Sequence, residues 1–239
     1  MNINYKLATE KACTFLLRED FNDFPLNLKE YVRGKYRLVT FTKIARELGI
    51  SYIKLKSLLK GSWGTVVYDG NNYTIMYDDM LDKGAQLFTI AHEVGHIELG
   101  HLTSPELRGS TIYIKGDNIT ETNKEAYEKI ENEANCFARN ILCPVSIVED
   151  MQRHEPLCCL LYKMYGEFGI TKSAYETRMS KYIYSEDLKN VDCDLHYDIV
   201  NKFYGFIKRM QDFADKEYEE YINEQIESGE FYASSSTLY

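Results

Sequence analysis

His92, Glu93 and His96 stand together in "FTIAHEVGHIELGH", the stretch from Phe88 to His101 that holds three of the chain's five histidines. On a helix, residues four apart share a face about one turn apart, so His92 and His96 can offer both imidazoles to one metal ion. Glu93 lies about 100° round the same helix. From there its carboxylate can take a proton from an attacking water without binding the ion. Zinc, which binds imidazole nitrogen at ~2.0–2.1 Å, lowers the pKa of a water it holds towards ~7. The pattern HExxH therefore encodes a hydrolytic centre with two ligands and one general base. The bland alternative is an ordinary helix with two idle histidines. Its neighbours argue against that: "LFTIA" and the apolar residues of "VGHIELG" make the helix largely apolar, and a polar patch buried there needs partners to offset its desolvation.

A third ligand must come from elsewhere. His101 invites the longer pattern HExxHxxGxxH, but that needs glycine at 99 and histidine at 102, where the chain has Leu99 and Leu102. The downstream segment "EKIENEANCFARNILCP" offers carboxylates. Glu131 and Asn135 are four apart, so one can bind metal while the other orients a ligand histidine. Two histidines and one glutamate leave a position open, as in a catalytic rather than a structural zinc site. Glu133 is the rival carboxylate, and it points roughly 160° away from Glu131, so the two cannot face one metal. Ala134, Asn135 and Ala138 share the Glu131 side, where small residues let two helices approach closely. Glu133 falls instead with Ile130 and Phe137, at the margin of packed apolar surface.

The elements that must position these groups are mostly helical. Apolar spacing predicts helices over about 5–17, through "GAQLFTIAHEVGHIELGHL", from Asn123 to about Leu142 where Pro144 ends it, and through "HEPLCCLLYKMYGEFG" to about Gly169. A long helical pattern then runs from about Leu195 to Ser228, and the tail after it reads as frayed. Ser173 and Glu176 have capping-box spacing. Alternating Thr65–Tyr68 and Tyr73–Tyr77 around Asp-Gly-Asn-Asn predict a hairpin, and "STIYIKG" a further short strand. Helix, glycine and helix in "FTKIARELGISYIKLKSLL", with Ala45 and Gly49, have the look of a helix-turn-helix, as does "YGEFGITKSAYETRM".

Composition bounds the function. With 239 residues, 44% of them hydrophobic and 20 tyrosines, the chain is that of a globular protein rather than a disordered one. A net charge of −9 gives no general attraction to nucleic-acid phosphates or anionic membranes, and no run of lysines and arginines suggests a local patch. The start has no signal-peptide pattern and no segment reaches the ~18 apolar residues of a membrane span, which makes a cytoplasmic protein the expectation. Six cysteines without CxxC spacing then read as reduced thiols, mostly small buried residues.

The two segments "FTIAHEVGHIELGH" and "ENEANCFARNILCP" resemble the ImmA/IrrE family of zinc metallopeptidases, whose pattern runs roughly FTxAHExGH, then ExxANxFAxxLLxP. The resemblance is specific there, extends more weakly over about 5–182, and leaves out the C-terminal helix. One departure is Leu87, where the family often has arginine. The resemblance implies a gluzincin-like fold, Zn2+ held by His92, His96 and Glu131, and Glu93 as base. It also implies a substrate: a helix-turn-helix repressor whose cleavage releases genes of a mobile element or a stress response. The expectation is thus an α+β protein with a mainly helical zincin-like core and a small β-sheet over 1–150. A helix-turn-helix-like region at 151–190 and a long helix with a flexible tail at 191–239 follow. The rival reading is a DNA-binding or repressor-binding regulator without proteolysis. Acidic charge, and only Lys54, Lys56 and Lys60 on the would-be recognition helix, weigh against DNA contact.

Overall fold

The computed structural model describes residues 3–103, 121–154 and 164–228. In chain order its elements are α1 (Tyr5–Arg18), α2 (Leu28–Lys35), β1 (Arg37–Thr40), α3 (Phe41–Glu47), α4 (Tyr52–Leu58), β2 (Gly64–Tyr68) and β3 (Tyr73–Tyr77). They continue with α5 (Lys83–Glu98), α6 (Glu121–Leu142), α7 (Val145–Gln152), α8 (Lys172–Arg178), α9 (Lys181–Lys189), α10 (Cys193–Lys202) and α11 (Tyr204–Ser228). This is the mainly helical α+β architecture that the sequence leads one to expect. The strand proposed at "STIYIKG", most of the helix proposed through "HEPLCCLLYKMYGEFG" and the tail lie outside the described residues.

The hairpin forms where expected, with β2 starting one residue earlier at Gly64, and β3 is the central strand of a mixed sheet ordered β1-β3-β2. β1 was not legible: four residues carry too little alternation, and its parallel partner β3 is far along the chain. The hydrogen bonds from Asp69 N–H to the Asn72 carbonyl and from Asp78 N–H to the Trp63 carbonyl bracket the β2–β3 ladder. Pairing alternates from there, so Gly64, Val66 and Tyr68 turn their backbone groups away from β3, towards the open edge of the sheet.

α5 packs against β2 and β3 of the sheet and against α6. The close approach of α5 and α6 rests on small residues. A β-carbon on Gly95 would stand 3.2 Å from both the Ala134 carbonyl and the Phe137 ring, so any side chain there would force the helices apart. Ile90, Ala91, Val94, Phe137, Ala138 and Ile141 are buried where these helices meet, and the same apolar core takes in Phe15 of α1 and Ile199, Phe206 and Ile207 of α10 and α11. A buried ionic knot ties the later helices to α6. Arg139 donates to both Asp187 oxygens at 2.7 Å, Arg178 donates to Asp187 at 2.9 Å, and Asn140 at 3.0 Å. Asp187 is wholly buried, so its charge depends on these donors.

Three expectations need correction. The N-cap of α8 is Thr171, whose hydroxyl accepts from Ala174 N–H at 3.1 Å. Ser173 therefore sits inside the first turn, because Ile170 is buried and sets the chain's entry two residues earlier. The long helical pattern after Leu195 is interrupted at Phe203, which caps α10, and it resumes at Tyr204. Apolar spacing runs through the break because Phe203 is itself fully buried. Thirdly, basic residues do gather. Residues 33–60 contain Arg33, Lys35, Arg37, Lys43, Arg46, Lys54, Lys56 and Lys60 against Glu47 alone. This segment includes the helix-turn-helix-like pair α3 and α4, joined through Gly49 at φ +64 and closed over Phe41, Ala45 and Leu55.

Candidate metal centre and catalytic cleft

α5 begins at Asp82, whose carboxylate accepts from Ala85 N–H at 2.9 Å. Burial of Leu87, Ile90, Ala91 and Val94 fixes its rotation, and the HExxH residues then face α6 and the sheet. The Nε2 atoms of His92 and His96 lie 3.0 Å apart. From α6, Glu131 reaches both, with Oε2 3.4 Å from His92 Nε2 and Oε1 3.4 Å from His96 Nε2. One donor atom from each of the three residues falls within 4.8 Å of the others. Burial opposes ionisation of Glu131, but the two histidines beside it hold its carboxyl well below the usual range.

Hydrogen bonds on the far side of each ring fit this donor set to a cation. His92 Nδ1 lies 2.9 Å from Asn135 Oδ1, an acceptor, so Nδ1 carries the proton and Nε2 the lone pair. His96 Nδ1 lies 2.9 Å from His101 Nδ1, and His101 Nε2 lies 3.2 Å from Glu133 Oε2. With the carboxylate accepting from His101 Nε2–H, His101 Nδ1 accepts from His96 Nδ1–H, and His96 Nε2 also presents a lone pair. Two lone pairs at 3.0 Å repel unless a proton or a metal cation lies between them. Nitrogen and carboxylate donors in this number suit a divalent metal with a position left open.

Glu93 is buried beside this cluster, and desolvation pushes its carboxyl up to about 7, with the nearby His92 opposing and Glu131 reinforcing the rise. The Val66 backbone amide donates to it from the edge of the sheet. β2 can pass this close because residue 64 is glycine: a β-carbon there would lie 2.4 Å from Thr89 Cγ2 and 2.9 Å from Glu93 Oε1. Gly64→Ala should consequently displace Glu93 or the strand, lowering stability by ~1–3 kcal/mol as overpacking does. Thermal melting of that variant checks this, and an unchanged midpoint with unchanged activity would refute it.

Glu93, His92, Glu131 and Asn135 line a cleft of about 310 Å³ together with Ser62, Trp63, Phe88 and Tyr127. A smaller recess beside it is lined by Gly64, Thr65 and Val66 of β2. The stretch from α3 to α7 that builds this site, residues 45–156, matches the family model Peptidase_M78, the IrrE N-terminal-like domain. This match supports membership of the ImmA/IrrE family. No curated protein matches the chain. Within the ImmA/IrrE match lie all five residues singled out from the sequence: His92, Glu93, His96, Glu131 and Asn135. α1, α2 and the helices from α8 onward lie outside it. Leu87, where the resemblance expects arginine, is buried, and it stands 3.6 Å from the position of a β-carbon on Gly169, itself in contact with Pro25. The family is one of metallopeptidases, which agrees with a cation as the group that the three donors face.

Two residues beside the site were given no role in it from sequence, though neither is among the donors, as expected. His101 was set aside as a failed ligand, and Glu133 was placed at the margin of apolar packing. Both are buried, and both stand behind His96. The signal for His101 was Gly100. At φ +72 it ends α5 in a Schellman turn, with His101 N–H on the His96 carbonyl and Gly100 N–H on the Ile97 carbonyl, each at 3.0 Å. That motif packs the second residue past the cap against the third from the helix end, which here are His101 and His96.

Proposed function

We propose that this protein is a zinc-dependent endopeptidase of the cytoplasm that cleaves a helix-turn-helix transcriptional repressor, so derepressing a mobile genetic element or stress-response genes. The observation that carries the catalytic part is the convergence of the His92, His96 and Glu131 donor atoms beside a buried Glu93 in an open cleft. His92, His96 and Glu131 would hold the zinc, which when bound polarises the scissile carbonyl and acidifies water. Glu93 accepts the proton of the attacking water and passes it to the leaving amine. Burial suits it to this task, because desolvation raises its carboxyl in the metal-free protein, in the direction of a group that exchanges protons near neutrality. Asn135 keeps the His92 ring turned to the metal. β2 favours a polypeptide substrate: it is an edge strand bordering the cleft, where an extended chain can align along the sheet. The repressor as substrate rests on the family resemblance. A reducing location is supported by the free thiols Cys13, Cys136 and Cys143, all buried, and Cys193. Among the described residues no helix is long and apolar enough to cross a membrane.

The second reading, a regulator that binds DNA or a repressor without cutting, is favoured by the basic segment 33–60 around α3 and α4. One experiment separates the two. The zinc-loaded protein is incubated with a helix-turn-helix repressor encoded beside its gene, with and without a chelator, and the operator fragment is tested by gel shift. Expected are repressor fragments that vanish with chelator and return with Zn2+, and no retention of the operator at physiological salt. An intact repressor together with tight, salt-sensitive operator binding would replace the peptidase reading by the regulator.

A further inference from the structure

His92 and His96 are held from behind by different chemistry. Behind His92 stands one neutral amide, Asn135. Behind His96 stands a chain of two buried groups, His101 and then Glu133, that ends on the backbone of the N-terminal segment. The second Glu133 oxygen, Oε1, accepts from Asn4 N–H at 2.7 Å and lies 3.9 Å from Lys129 Nζ. Among the described residues both groups facing that oxygen are donors, one of them a cation, and we read Glu133 as an acceptor at both ends. Its Oε2 therefore takes the proton of His101 Nε2 at 3.2 Å. A neutral imidazole has one N–H, so His101 Nδ1 is left as a lone pair facing His96 Nδ1 at 2.9 Å. His96 must donate there.

The opposite polarity is chemically possible and would disable the site. Were His101 Nδ1 the donor, His96 would carry its proton on Nε2, the atom that faces His92 and Glu131. Nothing in a histidine pair alone chooses between the two directions. The anionic end of the chain does, and the Schellman turn at Gly100 brings His101 into register with His96.

We propose that His101 and Glu133 are positioning residues that hold His96 in the Nδ1–H tautomer, the form whose Nε2 can bind the metal. The carboxylate behind the pair also makes that nitrogen a more basic ligand than an amide-backed imidazole. Asn4, which caps α1 and donates to Glu133, ties the start of the chain to this arrangement. The proposal rests on the metal-site reading above for its consequence, but the tautomer itself is a property of the metal-free protein.

The test uses the metal-free full chain with 15N-labelled histidine, read by long-range proton–nitrogen correlation, followed by titration with Co2+ and Zn2+. His96 is expected as the Nδ1–H tautomer. His101→Phe keeps a ring but removes the acceptor. It should release His96 to the Nε2–H form, change the Co2+ absorption spectrum, and weaken Co2+ and Zn2+ binding ~10–100-fold. His101→Gln, whose amide oxygen can still accept from His96 Nδ1–H, should recover most of that affinity. Glu133→Gln keeps the shape and removes the charge that sets the direction, so His96 should become a mixture of tautomers. Finding His96 as Nε2–H in the wild type overturns the proposal, and this result needs no variant to fold. A folded His101→Phe with the parent tautomer and parent Co2+ affinity overturns it equally. Should the wild type bind neither metal, the metallopeptidase reading fails, while the tautomer still decides on the chain from His96 to Glu133.

Discussion

Glu93→Gln should retain the metal and lose peptide cleavage by at least ~10²-fold, the typical contribution of a general base. The three donors, His92, His96 and Glu131, are untouched by this change. The amide also keeps the side chain's shape, which matters because the Gly64 backbone leaves little room beside it. Its oxygen can still accept from the Val66 amide. It has no basic site for the proton of an attacking water, so the loss belongs to the chemical step and not to binding. Stability provides a second readout in the metal-free protein. Burial raises the Glu93 carboxyl to about 7, above its unfolded value, so the native state holds that proton more tightly than the unfolded state. The associated stability is complete below the unfolded pKa and is lost as pH rises through about 7. Glutamine has no such loss, so the variant should melt no lower than the parent at pH 8. Metal content, cleavage rate and melting midpoint of one preparation decide the matter. Cleavage near the parent rate would remove Glu93 from the mechanism.

What the sequence made legible here was what spacing controls. The four-residue interval of His92 and His96, the same interval of Glu131 and Asn135, and the small residues Ala134 and Ala138 are all facts of one helix repeat. The structure assembles them as that repeat dictates. Angle told that only one of Glu131 and Glu133 can face the metal, the small residues on its side and the family pattern favoured Glu131, and Glu131 is the one beside both Nε2 atoms. What stayed hidden depended on joining distant segments. Glu133 meets His101 only after the chain reverses at Gly100, and meets Asn4 only after α1 packs on α6. Its buried carboxylate was read as a marginal one because a helix wheel does not show a polar partner arriving from another element. β1 was missed for the same reason, since its pairing with β3 is parallel and non-local. The break at Phe203 escaped notice because it lies between two apolar residues that keep helical phase. Charge was misread differently: a whole-chain sum of −9 hid the basic segment 33–60, which surrounds the helix-turn-helix-like pair.

Glu131→Ala should lose bound metal on gel filtration and show no detectable cleavage. The substitution leaves two imidazole nitrogens, and a catalytic zinc site takes three protein ligands. Among the described residues no nearby carboxylate can stand in. Glu93 is buried and engaged by the Val66 amide, and it lies on the β2 side of α5. Glu133 points to the opposite side of α6, where His101 and Asn4 hold both its oxygens. The fold should survive, because the Glu131 side chain is partly exposed and contributes no apolar packing. Removing it also frees His92 and His96 from the anion that favours their charged forms. Glu133→Ala makes the decisive comparison. It leaves all three ligands in place and removes only the acceptor behind His101, so metal binding should weaken ~10–100-fold without being abolished. Zinc content measured at a series of free Zn2+ concentrations orders the two variants. Metal retained by Glu131→Ala and lost from Glu133→Ala would exchange the roles of the two glutamates, and with them the assignment of which face of α6 the metal occupies.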